Sequence, residues 1–263
     1  MPSLTYAIDA SRLGRYADRC VHLEADSDTL AFVDGERMRR HGRARWAARA
    51  IVRFAVSGFS ANALLDTYPL FMLSEAQWRQ LLAPHATGRL LDVGAAAGHV
   101  TSRLAPMFDE VTATDVSRPM VRRLRARGLR ASVLDLAAGP PIVGLEDSPY
   151  DTVALLNVLD RCARPRTMLR AALDLLSPGG TLVVSMPLPY DPCWYDGPRT
   201  REPLDRLPLL ALDWESAAAE LATHLEDHGG RVLCLTRAPY LSGGDRHTSL
   251  YVLDAIILVV AYK

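Results

Sequence analysis

From residue 87 onward, short apolar runs alternate with helical stretches, and that rhythm admits few folds. The runs are "RLLDV" (89–93), "EVTAT" (110–114), "ASVLD" (131–135), "DTVALL" (151–156) and "GTLVVSM" (180–186). Such spacing predicts a mostly parallel sheet with helices on both faces, an α/β fold. Two more strands, "RVLCLTRAPYL" and "SLYVLDAIILVVAYK", follow a helix ending in "EDHGG", where Gly229 or Gly230 closes the C-terminus. Seven strands are therefore expected, the last antiparallel.

Residues 1–86 carry no such strand pattern and are expected to form a helical layer covering the active site, ahead of a main domain over 87–263. Its helices are read in "GERMRRHGRARWAARAIVRFAV" and in "SEAQWRQLLAPHA", where Ser74 and Gln77 have capping-box spacing. Between the fifth strand and the last helix, residues 187–212 are rich in Pro, Tyr and Asp. A connection this long in a compact domain suits a substrate loop or lid.

The 30 basic residues balance the 30 acidic ones, so no global field favours nucleic acid or an anionic membrane. The basic run "RMRRHGRARWAARAIVR" is read as a solvated helix face, with Ala47, Ala48, Ile51 and Val52 on its apolar side. No stretch has the makings of a membrane span or signal peptide, and Cys20, Cys162, Cys193 and Cys234 are scattered without CxxC pairing. A cytoplasmic monomer is the expectation. The seven histidines are read as offering no metal-binding pair, so no metal is expected.

The stretch "LLDVGAAAGHVTSRLA" runs from a strand through a glycine turn into a helix. Gly94 and Gly98 permit the sharp turn and a close ligand approach, Ala96 sits at the turn's centre, and Asp92 offers an acceptor at the strand end. Asp115 ends the next strand in "VTATDVS", where a carboxylate can take both hydroxyls of a ribose. Its plainer role would be to cap the following helix. A dinucleotide site would want GxGxxG, whereas DxGxxxG fits S-adenosylmethionine better, with S-adenosylhomocysteine as product. Asp135, after the third strand, either reaches the adenine edge or is a solvated turn carboxylate.

Together with "LLNVLDRCARP", "MPLPYDP" and "LTRAPYLSGGD" followed by "YVLDAIILVV", these motifs resemble the methyltransferase-like 9 (DREV) family of protein histidine methyltransferases, over about residues 60–263. The resemblance implies a Rossmann-like class I methyltransferase fold and methylation of the N1 (π) nitrogen of histidine in His-x-His sequences of a protein or peptide. It departs from the family at Ala96 and Ala97, which replace a Gly and an Asp of the usual GAGDG turn, and at Asp115, where Glu is common.

Methyl transfer to N1 requires the imidazole tautomer with its hydrogen on N3. A carboxylate accepting that hydrogen would fix the tautomer, as the aspartate does in a hydrolase triad. Asp160 is the candidate, its alternative being a helix cap paired to Arg161. Asn157 would meet cofactor or substrate, because an amide inside an apolar strand must find partners. Tyr240 joins these as a catalytic candidate, and Tyr190, Arg161, Arg237, Asp245 and Tyr251 as substrate-binding ones, with packing as the alternative for Tyr190 and a structural ion pair for Arg237. Cys162 is read as a small buried thiol. Two other functions stay open: methylation of a small imidazole-like or natural-product molecule, and a cofactor-binding scaffold without catalysis.

Overall fold

The computed structural model describes residues 4–39, 68–83, 85, 88–139, 142, 145, 148–197, 199–244 and 248–263. Its central strands are β1 (Leu70–Phe71), β2 (Arg89–Val93), β3 (Glu110–Asp115), β4 (Arg130–Val133), β5 (Tyr150–Leu156) and β6 (Leu176–Pro187). A small hairpin of β7 (Trp194–Asp196) and β8 (Arg199–Arg201) precedes the long β9 (Gly230–Gly243) and β10 (Leu250–Tyr262).

The main sheet runs β1-β9-β10-β6-β5-β2-β3-β4. Strands β2 to β6 pair in parallel, and β10 inserts antiparallel between β6 and β9. All seven expected strands are present, the last antiparallel. The sheet has eight, however, because Leu70–Phe71 pairs antiparallel with Leu241 and Ser242 of β9. Two residues held by backbone pairing leave no alternating pattern to read.

Helices cover both faces because the strands are apolar on both. Toward one face, Leu91, Val153, Leu182, Val184 and Leu258 pack with α5 (Pro165–Leu173) and α6 (Trp214–Asp227). Toward the other, Leu90, Ala154, Val183, Ile257 and Val259 pack with α2 (Glu75–Leu82) and α3 (Thr101–Leu104). Helix α4 (Arg118–Ala126) buries Val121 and Leu124 against Ala113 and Ala131. Burying each Leu or Val contributes about 1.5–3 kcal/mol, so a polar residue at the strand crest stands out against a strongly apolar background.

The capping box of α2 is formed: Ser74 Oγ accepts from Gln77 N, and Gln77 Oε1 accepts from Ser74 N. Helix α6 is closed by His228 as its C-cap, and Gly229 follows at φ +89°.

The N-terminal segment wraps the free edge of β9. Val21 N donates to Leu235 O at 2.8 Å, and farther along β1 pairs with the same strand. An exposed sheet edge is a template for aggregation, and the arm covers it. Its helix α1 (Ser27–Met38) is capped by Asp26, which also accepts from Ser74 Oγ. Most of the basic helix expected after it, with Ala47, Ala48, Ile51 and Val52, lies outside the described residues.

Candidate active site

The sheet reverses its winding between β2 and β5, and ligands of such sheets sit at the carboxyl ends of the strands beside that point. Asp92 and the glycine turn stand at the end of β2, Asp115 at the end of β3, and Asn157 just past β5.

Gly94 lies at φ +73° and Gly98 at φ +80°. A Cβ on Gly94 would stand 2.7 Å from Val158 Cγ2, and one on Gly98 2.9 Å from Leu124 Cδ2. Both glycines are required by conformation and by space. Ala96 lies at φ +50°, where a side chain costs roughly 1–2 kcal/mol, and its N–H donates to Asp115 Oδ2 at 3.0 Å. Asp115 Oδ1 accepts from Ser117 N at 2.8 Å. Ser117, and not Asp115, is the N-cap of α4. Burial raises the Asp115 pKa, and these two N–H donors act against the shift.

Asp92 is 2% exposed. Its Oδ2 accepts from Thr101 Oγ1 at 2.6 Å, whereas its Oδ1 is buried without a hydrogen-bond partner. Burial pushes its pKa up to about 7, opposed by the Thr101 hydroxyl. Asp135 is exposed and caps the 3₁₀ turn Leu136–Ala138 through Ala137 N.

Past β5, Asn157 adopts φ +52°. Its Oδ1 accepts from Ser185 Oγ at 2.9 Å, and its Nδ2 is buried without a well-formed hydrogen bond, although the amide acts on the Tyr240 hydroxyl. Asp160 follows on the same turn, 3% exposed, with Oδ1 buried and unpartnered and Oδ2 3.0 Å from Arg161 Nη1. Burial lifts its pKa to about 6 against the pull of Arg161. Asp160 does not cap the next helix: α5 begins at Pro165, and its N-cap is Arg164, without a side-chain bond.

Tyr240 and Tyr190 come to Asp160 from β9 and from the 187–212 connection. Burial raises both phenol pKa values, and the Asp160 charge raises them further. Tyr190 Oη has no well-formed hydrogen bond. Cys162, beside them, is pushed up to about 12 by burial, so its thiol stays protonated and inert.

Other sequence candidates fall elsewhere. Arg237 forks onto Asp254 through Nε and Nη2, and its Nη1 reaches Glu215 and Ala7 O at 3.3 and 3.0 Å, over the Trp214 ring. These commitments make it the structural ion pair rather than a substrate ligand. Tyr251 is exposed at the start of β10, its ring 6.3 Å from that of Tyr68. Asp245 lies outside the described residues. His224 and His228 do stand four apart on α6, ring centroids 4.4 Å apart, a pairing the sequence reading passed over. Among the described residues, though, no group of three His, Cys, Asp or Glu could hold a metal ion.

Three contributors went unrecognised in the sequence: Thr101, Val158 and Ser185. Ser185 left a readable trace, a hydroxyl inside the apolar run "TLVVSM".

The model of the DREV methyltransferases matches residues 6–262. The chain belongs to the DREV methyltransferase family. DREV proteins are S-adenosylmethionine-dependent methyltransferases, and the sheet has the class I methyltransferase arrangement. A ubiquinone biosynthesis O-methyltransferase of Xylella fastidiosa is 30% identical over 105 residues, 39% of this chain and 43% of that protein. An uncharacterized methyltransferase of Mycobacterium tuberculosis is 34% identical over 103 residues, 39% of this chain and 52% of its own. The chain thus spans about half the length of the curated relatives it matches. The N-methyltransferase NodS of Bradyrhizobium japonicum, solved with S-adenosylhomocysteine, superposes with TM-score 0.45 at 18% identity, over 72% of this chain and 85% of NodS.

The DREV site fits S-adenosylmethionine. Asp92 has a buried oxygen free to meet the cofactor's ammonium, and Asp115 is held by two N–H donors with lone pairs left for ribose hydroxyls. Among the described residues no helix is long and apolar enough to cross a membrane.

Proposed function

We propose that this chain methylates the N1 (π) nitrogen of a histidine in a protein or peptide, in a His-x-His context. The observation that carries the reading is the buried, unpartnered Asp160 Oδ1 in the company of Asn157 and the Tyr240 hydroxyl. A buried carboxylate oxygen left without a donor costs several kcal/mol, so the group suits a substrate N–H.

Bound S-adenosylmethionine supplies an electrophilic methyl group. The residues of the chain prepare the nucleophile. Asp160 accepts the N3 hydrogen, which leaves the N1 lone pair free and stabilises the positive charge that grows on the ring. At neutral pH most Asp160 is ionised, its pKa being about 6. The Tyr240 phenol stays protonated and can donate to a substrate carbonyl or lie against the imidazole edge. Asn157, pinned through Ser185, holds its amide toward the same space, and Tyr190 bounds it from the loop.

Labelled S-adenosylmethionine incubated with His-x-His peptides and their His→Ala counterparts tests the reading. Label confined to the histidine peptides is expected. A second reading, methylation of a small molecule, draws on the similarity to a ubiquinone biosynthesis O-methyltransferase over 105 residues. Label appearing only on small molecules would favour it.

A further inference from the structure

Arg161 does not point its hydrogen bonds at the carboxylate beside it. Its Nη1 donates to the backbone carbonyls of Asp160, at 2.8 Å, and Asp191, at 3.1 Å, while lying 3.0 Å from Asp160 Oδ2. Cys193 N donates to the same Asp160 carbonyl at 3.0 Å. The loop carrying Tyr190 is thus fastened to the Asp160 turn at two points, and one guanidinium serves both the fastening and the carboxylate.

We propose that Arg161 is a positioning residue that couples the docking of the Tyr190 loop to the charge state of Asp160. The inference rests on the reading of Asp160 as the carboxylate that orients the substrate. It moves Arg161 from substrate ligand to support: the guanidinium lends Asp160 its charge without occupying Oδ1, so that oxygen stays open to a substrate hydrogen. A lysine could supply the charge, but its nitrogen ends one bond short of the Nη1 position that meets both carbonyls.

The charged groups facing Asp160 are Arg161 on its own turn and Asp191 from the loop; the neutral titratable ones are Cys162, Tyr190 and Tyr240. Arg161 is the cation of this set. Removing it leaves burial and Asp191, which both raise the Asp160 pKa, opposed by a backbone N–H alone.

The test uses the full chain saturated with S-adenosylhomocysteine, so no acceptor is needed. Carboxyl-carbon NMR follows the Asp160 titration, and amide hydrogen exchange follows Tyr190, Asp191 and Cys193, in the wild type, Arg161→Gln and Arg161→Lys. Arg161→Gln should raise the Asp160 midpoint by about 1–3 pH units and speed exchange in the loop by roughly tenfold or more. Arg161→Lys should hold the midpoint near the wild-type value yet still lose loop protection. An Arg161→Gln protein with unchanged affinity for S-adenosylhomocysteine, midpoint and loop exchange would overturn the proposal. Should that variant not fold, Arg161→Lys decides, and unchanged loop exchange in it counts against the coupling. Because neither readout involves methyl transfer, a failure here is separable from a failure of the histidine reading.

Discussion

Val158 lies against Gly94, so that the cofactor turn and the turn carrying Asn157 and Asp160 share one surface. A methyl group on Gly94 would stand 2.7 Å from Val158 Cγ2 at a backbone φ of +73°. Two costs combine there, one steric and one conformational. Gly94→Ala should weaken S-adenosylhomocysteine binding by about tenfold or more. Adding Val158→Ala should recover the steric part alone, because the backbone strain remains. Calorimetric titration of the single and double variants checks this, and full recovery would mean that the backbone is unstrained.

Asp92 is built for binding at the expense of stability. Its folded pKa of about 7 lies above the ordinary aspartate value of about 3.9, so ionisation destabilises the ligand-free protein fully above pH 7 and not at all below about 4. Asp92→Asn should therefore raise the melting temperature of the ligand-free protein at pH 8, by roughly 1–3 kcal/mol in stability, with the gain fading as pH falls toward 4. The same substitution should weaken cofactor binding. In the wild type, affinity should rise between pH 6 and 8 as Asp92 ionises, and that slope should vanish in the variant.

Much of this was legible in the sequence, for physical reasons that differ from residue to residue. Strands β2, β5 and the later part of β6 announce themselves because both faces are buried and their residues are mostly apolar. Strands β3 and β4 mix in Thr, Ser and charged ends and are read from their place in the rhythm. Asp92, the glycine turn and Asp115 are local, spaced by the chain itself. Asp160 was readable as a polar intrusion but not as a buried one, since its burial depends on a loop some thirty residues later that returns through Asp191 and Cys193. Arg237 was ambiguous for the same reason: Asp254, Glu215 and Ala7 reach it from three distant parts of the chain. Strand β1 left no signal because two residues pair through their backbone at an edge.

Ala96 offers a gain. At φ +50° its side chain is strained, whereas the N–H bond to Asp115 needs only the backbone. Ala96→Gly should stabilise the protein by about 1 kcal/mol, a rise of some 2 °C in melting temperature for a chain this size. A thermal shift in the opposite direction would show that the glycine's lost entropy outweighs the relieved strain.

Asn157 has a backbone role and a side-chain role that one pair of variants separates. Its φ of +52° suits Gly or Asn and strains a branched residue. Asn157→Gly should keep the fold and cofactor affinity while lowering turnover by about 10- to 100-fold. Asn157→Val should also destabilise the protein, by roughly 1–3 kcal/mol. Equal stability of the two variants would remove the backbone part of the account.

The most direct measurement is the regiochemistry of the product. A His-x-His peptide is incubated with enzyme and S-adenosylmethionine, hydrolysed, and its methylhistidines separated by chromatography against both isomers, for the wild type and for Asp160→Asn. The wild type should yield 1-methylhistidine, with Asp160→Asn cutting turnover by two orders of magnitude or more and leaving cofactor affinity nearly unchanged. Methylation at N3, or an undiminished rate without the Asp160 carboxylate, would contradict the account.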